Sequence, residues 1–199
     1  MTPHSPHSDS HPAPPAPSTP PAPPKAPLNA SRILAIVIAL VVVFLFLGSL
    51  SDTGMLRAGT PAPPFVLERA NPPYNAVSLS DLEGSAFIID FWSTSCPPCL
   101  REMDVLKRLY ARYQDQGLRI VGISIGGETT EDVQRFSQAR GITYPMLLDP
   151  HNQAAMDYRV SSLPALYILD GDKNIAASLS GFRSESELDA HIRKVLSLP

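Results

Sequence analysis

Only two cysteines occur in this 199-residue chain, Cys96 and Cys99, and its single tryptophan, Trp92, stands just ahead of them. Two sulfurs cannot build a disulfide framework, and they fall short of a structural zinc site, which takes about four ligands. No second CxxC is present, and beyond residue 50 only His151 and His191 could complete a metal site. No metal is expected. Covalent haem attachment needs a histidine directly after the second cysteine, but Leu100 stands there. Charge of one sign is lacking too: the chain carries a net −3, and from residue 51 onward 14 Lys and Arg are interspersed with 18 Asp and Glu. That pattern gives no basic patch for nucleic acid.

Large apolar residues are almost missing from residues 1–31, where Pro alternates with Ala, Ser and His; 11 of the 22 prolines fall before residue 28. Such a segment has nothing to bury against the entropy of ordering, so residues 1–31 read as a disordered, partly polyproline-II tail. Its PPAP repeats could dock an aromatic groove, and His4, His7 and His11 could take a metal, but a plain spacer is the simpler reading.

Charge is then missing from 18 consecutive residues, 33–50. A helix of that length rises about 27 Å, enough to cross most of a bilayer's hydrocarbon core. A cleaved signal is the alternative, since Ser49 and Ser51 form a small-x-small site, but the apolar run exceeds the usual ~7 to 15 residues of a signal's core. Lys25 and Arg32 before the span put the tail inside and the following domain outside. The expected layout is a tail over 1–31, an anchor over 32–50, a linker over 51–62 and one domain over 63–199.

Within that domain a Pro-rich lead-in precedes two short strands, "FVLER" and "AVSLSDL". Residues 86–92, apolar except for Asp90, read as a central strand buried on both faces. Met103, Leu106, Leu109, Tyr110 and Tyr113 recur at helical spacing until Gly117, and 118–125 form a second buried strand. Thr129 and Asp132 give a capping box before Val133, Phe136 and Ala139, with Gly141 as the stop. "YPMLLD" suggests a short or edge strand and "NQAAMDYRV" a short helix at most; a hairpin turns at Asp170 and Gly171; a last helix over 184–196 carries Leu188, Ile192 and Leu196. The sum is an α/β domain with a mixed sheet flanked by helices.

A cysteine pair at a strand-to-helix junction leaves two readings. One is a static structural bridge, though closing so small a loop removes little entropy from the unfolded chain. The other is a redox dithiol. Cys96 would sit at the first turn of a helix, where unpaired N–H groups and the macrodipole favour a thiolate, so it becomes the attacking sulfur. Pro97 and Pro98 suit a helix start, and Cys99, one turn in, becomes the resolving sulfur.

"DFWSTSCPPC" over residues 90–99, Glu102, "YPMLLD" and "LPALYILDGDKNIAASLSG" together resemble the TlpA/ResA-type, membrane-anchored thioredoxin-like proteins, over residues 58–198. The resemblance implies a thioredoxin-like fold and an extracytoplasmic thiol-disulfide oxidoreductase. It implies Cys96 as nucleophile, Cys99 as resolving thiol, and Pro164 as a cis-proline that opens the Leu163 backbone to substrate, with Trp92, Pro97 and Pro98 around the same surface. Asp90 and Glu102 become candidate proton acceptors for Cys99, with a solvated helix face as the alternative for Glu102 and a near-neutral pKa expected for Asp90. The redox disulfide would be the only cofactor. Substrates would be disulfides of exported proteins, including apocytochrome c, and electrons would come from a membrane thiol-transfer protein. The place would be a bacterial cytoplasmic membrane, as a single-pass monomer. Ser95 departs from the aromatic residue usual before the first cysteine, and Asp90 from the family's common asparagine. A peroxiredoxin-type peroxidase, which normally has no CxxC partner, and a non-catalytic docking module recruited through the tail are the rival readings.

Overall fold

A computed structural model of the chain describes residues 30–49 and 54–199, with side chains in the first segment only at 31 and 33–43. Two units separate, Met1–Ser51 and Asp52–Pro199. In the first, helix α1 (Ala30–Ser49) presents every described side chain from position 33 to 43 exposed, and all of these are apolar. Among the described residues no helix is long and apolar enough to cross a membrane. The expected tail falls outside the described residues except for Ala30 and Ser31, which begin α1, and residues 50–53 of the anchor end and linker fall outside as well.

In the second unit, strand β3 (Ala86–Trp92) is buried at all seven positions. It pairs in parallel with β4 (Leu118–Ser124) and antiparallel with β6 (Ala165–Asp170), so its apolar run meets neighbours on both edges and layers on both faces. Phe87, Ile89 and Phe91 pack with Val121, Ile123, Tyr158 and Tyr167 on one side, while Ala86, Ile88 and Trp92 join the opposite layer. The period of two puts Asp90 on that second face. There α2 (Pro97–Tyr113), α3 (Thr130–Arg140) and α5 (Glu185–Val195) bury Met103, Leu106, Leu109, Val133, Leu188 and Ile192. The site's acid therefore lies beneath the helix that carries both cysteines.

The remaining strands are β1 (Val66–Arg69), β2 (Ala76–Ser78), β5 (Met146–Leu148) and β7 (Ile175–Ser180), and α4 (Gln153–Asp157) covers the first face. The sheet runs β2-β1-β5-β4-β3-β6-β7 and is mixed. Thr129 and Asp132 form both bonds of the expected capping box, and Ser184 and Glu187 form a second one at α5.

Three local expectations change. "YPMLLD" is the short strand of the two alternatives and no edge: β5 lies between β1 and β4. "AVSLSDL" remains a strand only to Ser78, whose hydroxyl accepts the Ser80 N–H and turns the chain into a 3-10 helix, Leu79–Asp81. The last helix begins at Glu185 because Ser184 is its cap.

Candidate active site

Between β3 and α2 the chain must turn within four residues, Ser93, Thr94, Ser95 and Cys96. Cys96 is the N-cap of α2, in extended backbone geometry, and its Sγ accepts the Cys99 N–H at 3.2 Å. Pro97 and Pro98 occupy the first helical positions, where a missing N–H breaks no bond. The two sulfurs are joined as a disulfide, with Cα atoms 5.3 Å apart. Cys96 is 9% exposed and Cys99 1%. Cys96 is thus the more accessible sulfur, though more covered than an outward-pointing thiol would be.

Glu102 lies one helical turn beyond Cys99, on the same face. It is fully buried, which overturns the solvated-face alternative. Its Oε1 accepts the Arg183 N–H at 2.7 Å, and its Oε2 has no partner. Burial raises its pKa to about 7, against the opposing pull of the Arg183 N–H and charge. Asp90 is 1% exposed and neither of its oxygens is hydrogen-bonded. Burial first, and the Glu102 charge second, hold its carboxyl well above the usual carboxylate range.

The two acids are therefore not interchangeable. Glu102 titrates close to neutral pH, and the rise expected for Asp90 from burial is present too. Tyr144, also fully buried with an unpartnered hydroxyl, is pushed upward by burial and then by the Asp90 charge, and does not ionise in this range.

Leu163 and Pro164 reach the same end of the sheet through β6, since Ala165 is the register partner of Phe91. The Leu163–Pro164 bond is cis. Pro164 is buried and its carbonyl accepts the Gly181 N–H, whereas Leu163 is half-buried and Pro97 exposed. Trp92 departs from expectation: it is fully buried and stacks on Phe136, with ring centroids 4.8 Å apart. Its even-numbered position in β3 aims it into the core, so no partner protein meets it in this state.

One participant was not anticipated. Glu128, in the loop after β4, is half-buried and bonded to both loops that flank the site. Its Oε1 accepts from Thr94 N at 2.6 Å, Thr94 Oγ1 at 2.9 Å and Ser93 Oγ at 3.0 Å. Its Oε2 accepts from Gly126 N at 3.0 Å and from the Ser124 hydroxyl. Burial works against its charge, but the Ser124 and Thr94 donors outweigh it and hold the carboxyl at about 2.

The AhpC/TSA family model matches residues 58–178. Among curated relatives, the thiol-disulfide oxidoreductase ResA of Oceanobacillus iheyensis is 30% identical over 83% of this chain and 86% of its own length. That of Bacillus subtilis is 30% identical over 70% of this chain and 76% of its own length. The chain belongs to the AhpC/TSA family and is of the ResA type. It is a thiol-disulfide oxidoreductase, and Cys96 and Cys99 are its only cysteines. A solved thiol:disulfide interchange protein of the thioredoxin family from Chlorobium tepidum, 24% identical, superimposes with a TM-score of 0.62 over 71% of this chain and 98% of its own. The fold is thioredoxin-like. In this ResA-type setting Ser95, in place of an aromatic residue, is exposed, with its Oγ 2.8 Å from Ser93 Oγ.

Proposed function

We propose that this protein is a membrane-tethered, extracytoplasmic reductase of disulfides in exported proteins. The observation that carries the redox step is a disulfide capping α2 with a buried carboxyl of near-neutral pKa one turn behind it. In the reduced protein the Cys96 thiolate attacks one sulfur of a substrate disulfide, forming a mixed disulfide and releasing one substrate thiolate. Cys99 then gives its proton to Glu102 and attacks the Cys96 Sγ. The second substrate thiolate leaves, and the protein holds the Cys96–Cys99 disulfide. Two electrons have passed to the substrate, and a membrane thiol-transfer protein restores them. The Leu163 backbone, opened by Pro164, with Pro97 and Pro98 opposite, forms the surface on which an extended substrate segment lies.

The exposed apolar side chains of α1 support tethering, since such a surface needs a non-aqueous neighbour. Lys25 and Arg32 support a cytoplasmic tail and, with it, a domain on the outer face of a bacterial cytoplasmic membrane; a single-pass monomer completes the proposal. Apocytochrome c awaiting haem is the substrate proposed from the resemblance of residues 58–198 to the TlpA/ResA-type proteins. The peroxidase reading weakens because Cys96 has a CxxC partner one helical turn away, which a peroxidatic cysteine normally lacks. The deciding experiment is the Cys96–Cys99 reduction potential, measured in glutathione or dithiothreitol buffers. A value well below that of glutathione supports a reductase, and one well above it refutes that direction.

A further inference from the structure

Five donors converging on one carboxylate need a reason, and the site's chemistry does not use Glu128. The donors come from two separate segments. Ser93 and Thr94 belong to the turn that presents Cys96, and Ser124 and Gly126 to the end of β4 and the loop behind it. The packing leaves no slack, since a Cβ on Gly126 would come 2.2 Å from Ser93 Oγ. Ser93 is tied onward as well: its hydroxyl accepts the Ser95 N–H at 3.2 Å and its carbonyl the Cys96 N–H at 3.2 Å.

We infer that Glu128 is a positioning residue of the redox site. It clamps the turn before Cys96 onto the end of β4, and its fixed negative charge there biases the Cys96–Cys99 couple toward the disulfide, making the dithiol a stronger reductant. Thr94, whose N–H it binds, is two residues from Cys96, so the two Cα atoms are at most about 7.6 Å apart. The low pKa means that the charge is present at every pH at which the enzyme works. A carboxylate bonded to the turn two residues before Cys96 opposes the thiolate that the helix N-terminus favours. In partly exposed surroundings it shifts that ionisation by about three- to tenfold. With the Cys96 thiol ionised in the dithiol and no charge on the disulfide, the same factor enters the redox equilibrium.

The test is the equilibrium of full-length protein with glutathione at pH 7, in which the protein disulfide and two glutathione thiols give the dithiol and one glutathione disulfide. It rests on the exchange chemistry alone: the absolute constant tests the reductase direction, and the difference between variants tests the clamp. Glu128→Gln keeps the size and removes the charge, and it should favour the reduced form by about three- to tenfold relative to the parent. Glu128→Asp keeps the charge but is one methylene short of spanning both loops. It should hold the constant within about twofold while slowing single-turnover reduction of a protein disulfide. Asp90, Arg101, Glu102 and Arg183, the other ionisable groups around the pair on β3, α2 and the segment after β7, are unaltered in both variants. A folded Glu128→Gln protein whose constant stays within about twofold of the parent, or moves toward the disulfide, overturns the inference. So does a Glu128→Asp shift as large as the one expected for Gln, and this second arm stands even if the Gln variant does not fold.

Discussion

Replacing Glu102 by Gln isolates the buried proton on which resolution depends. In the folded protein this carboxyl titrates at about 7, against an ordinary value of 4.5. A carboxyl raised on folding binds its proton more tightly in the native state, so its contribution to stability is whole below 4.5 and is lost as pH rises through about 7. That span, at about 1.36 kcal/mol per pH unit, amounts to roughly 3 kcal/mol, a large share of a domain's 5 to 15 kcal/mol. The side chain is fully buried, so solvent screening reduces this figure little. Gln has nearly the same shape, still accepts the Arg183 N–H, and carries no charge at any pH. Urea unfolding of the oxidised protein, in which neither cysteine titrates, should therefore show the variant gaining about 3 kcal/mol on the parent between pH 4.5 and 8. Titrating groups that do not feel the Glu102 charge cancel in that difference. A difference flat to within about 0.5 kcal/mol across the window would show that Glu102 does not titrate there, and the proton acceptor would have to be sought elsewhere. The kinetic counterpart is slower attack by Cys99, by about 10²- to 10⁴-fold, with loss of the rate midpoint near pH 7.

Asp90→Asn should leave the rate midpoint near pH 7 in place, because the carboxyl that titrates there is Glu102; stopped-flow reduction of a model disulfide measures this, and a lost midpoint would return the proton to Asp90. Cys99→Ser should accumulate mixed disulfides with exported proteins, visible as reductant-sensitive bands on non-reducing gels, whereas Cys96→Ser should not; equal trapping by both would mean that the helix-end argument has chosen the wrong nucleophile. Protease added to intact spheroplasts should digest the domain, and full protection would reverse the proposed orientation.

Elements of this fold were readable wherever the chain states its own periodicity. The run 86–92 could only be a strand covered on both faces, and the capping box at Thr129 announced α3 before any packing was known. Legibility failed where the deciding contact was distant in sequence. Nothing local says that β5 lies between β1 and β4, because that place depends on Glu68 pairing with Leu148 across the fold. Trp92 was expected to meet substrate because it adjoins the cysteines, but the two-residue period of β3 turns it inward onto Phe136.

The acids show the same division more sharply. Cys96 and Cys99 announce themselves by spacing and Glu102 through the TlpA/ResA resemblance, but the surroundings of Glu102 and Asp90 differ in whether an N–H arrives from the far side of the domain. Arg183 gives that bond to Glu102 and nothing gives one to Asp90. A hydrogen bond to the ionised form offsets part of the rise that burial imposes on Glu102, and Asp90 has no such offset. Glu128 lay further out of reach, since a glutamate in "GGETT" looks like any loop acid. The available signal was the density of small donors, "STS" before the first cysteine and "SIGG" after β4, two stretches short of their own partners that a single carboxylate could satisfy at once. A loop rich in hydroxyls beside a reactive cysteine is thus a reason to look for a distant acid, and here that acid is charged whenever the cysteine works.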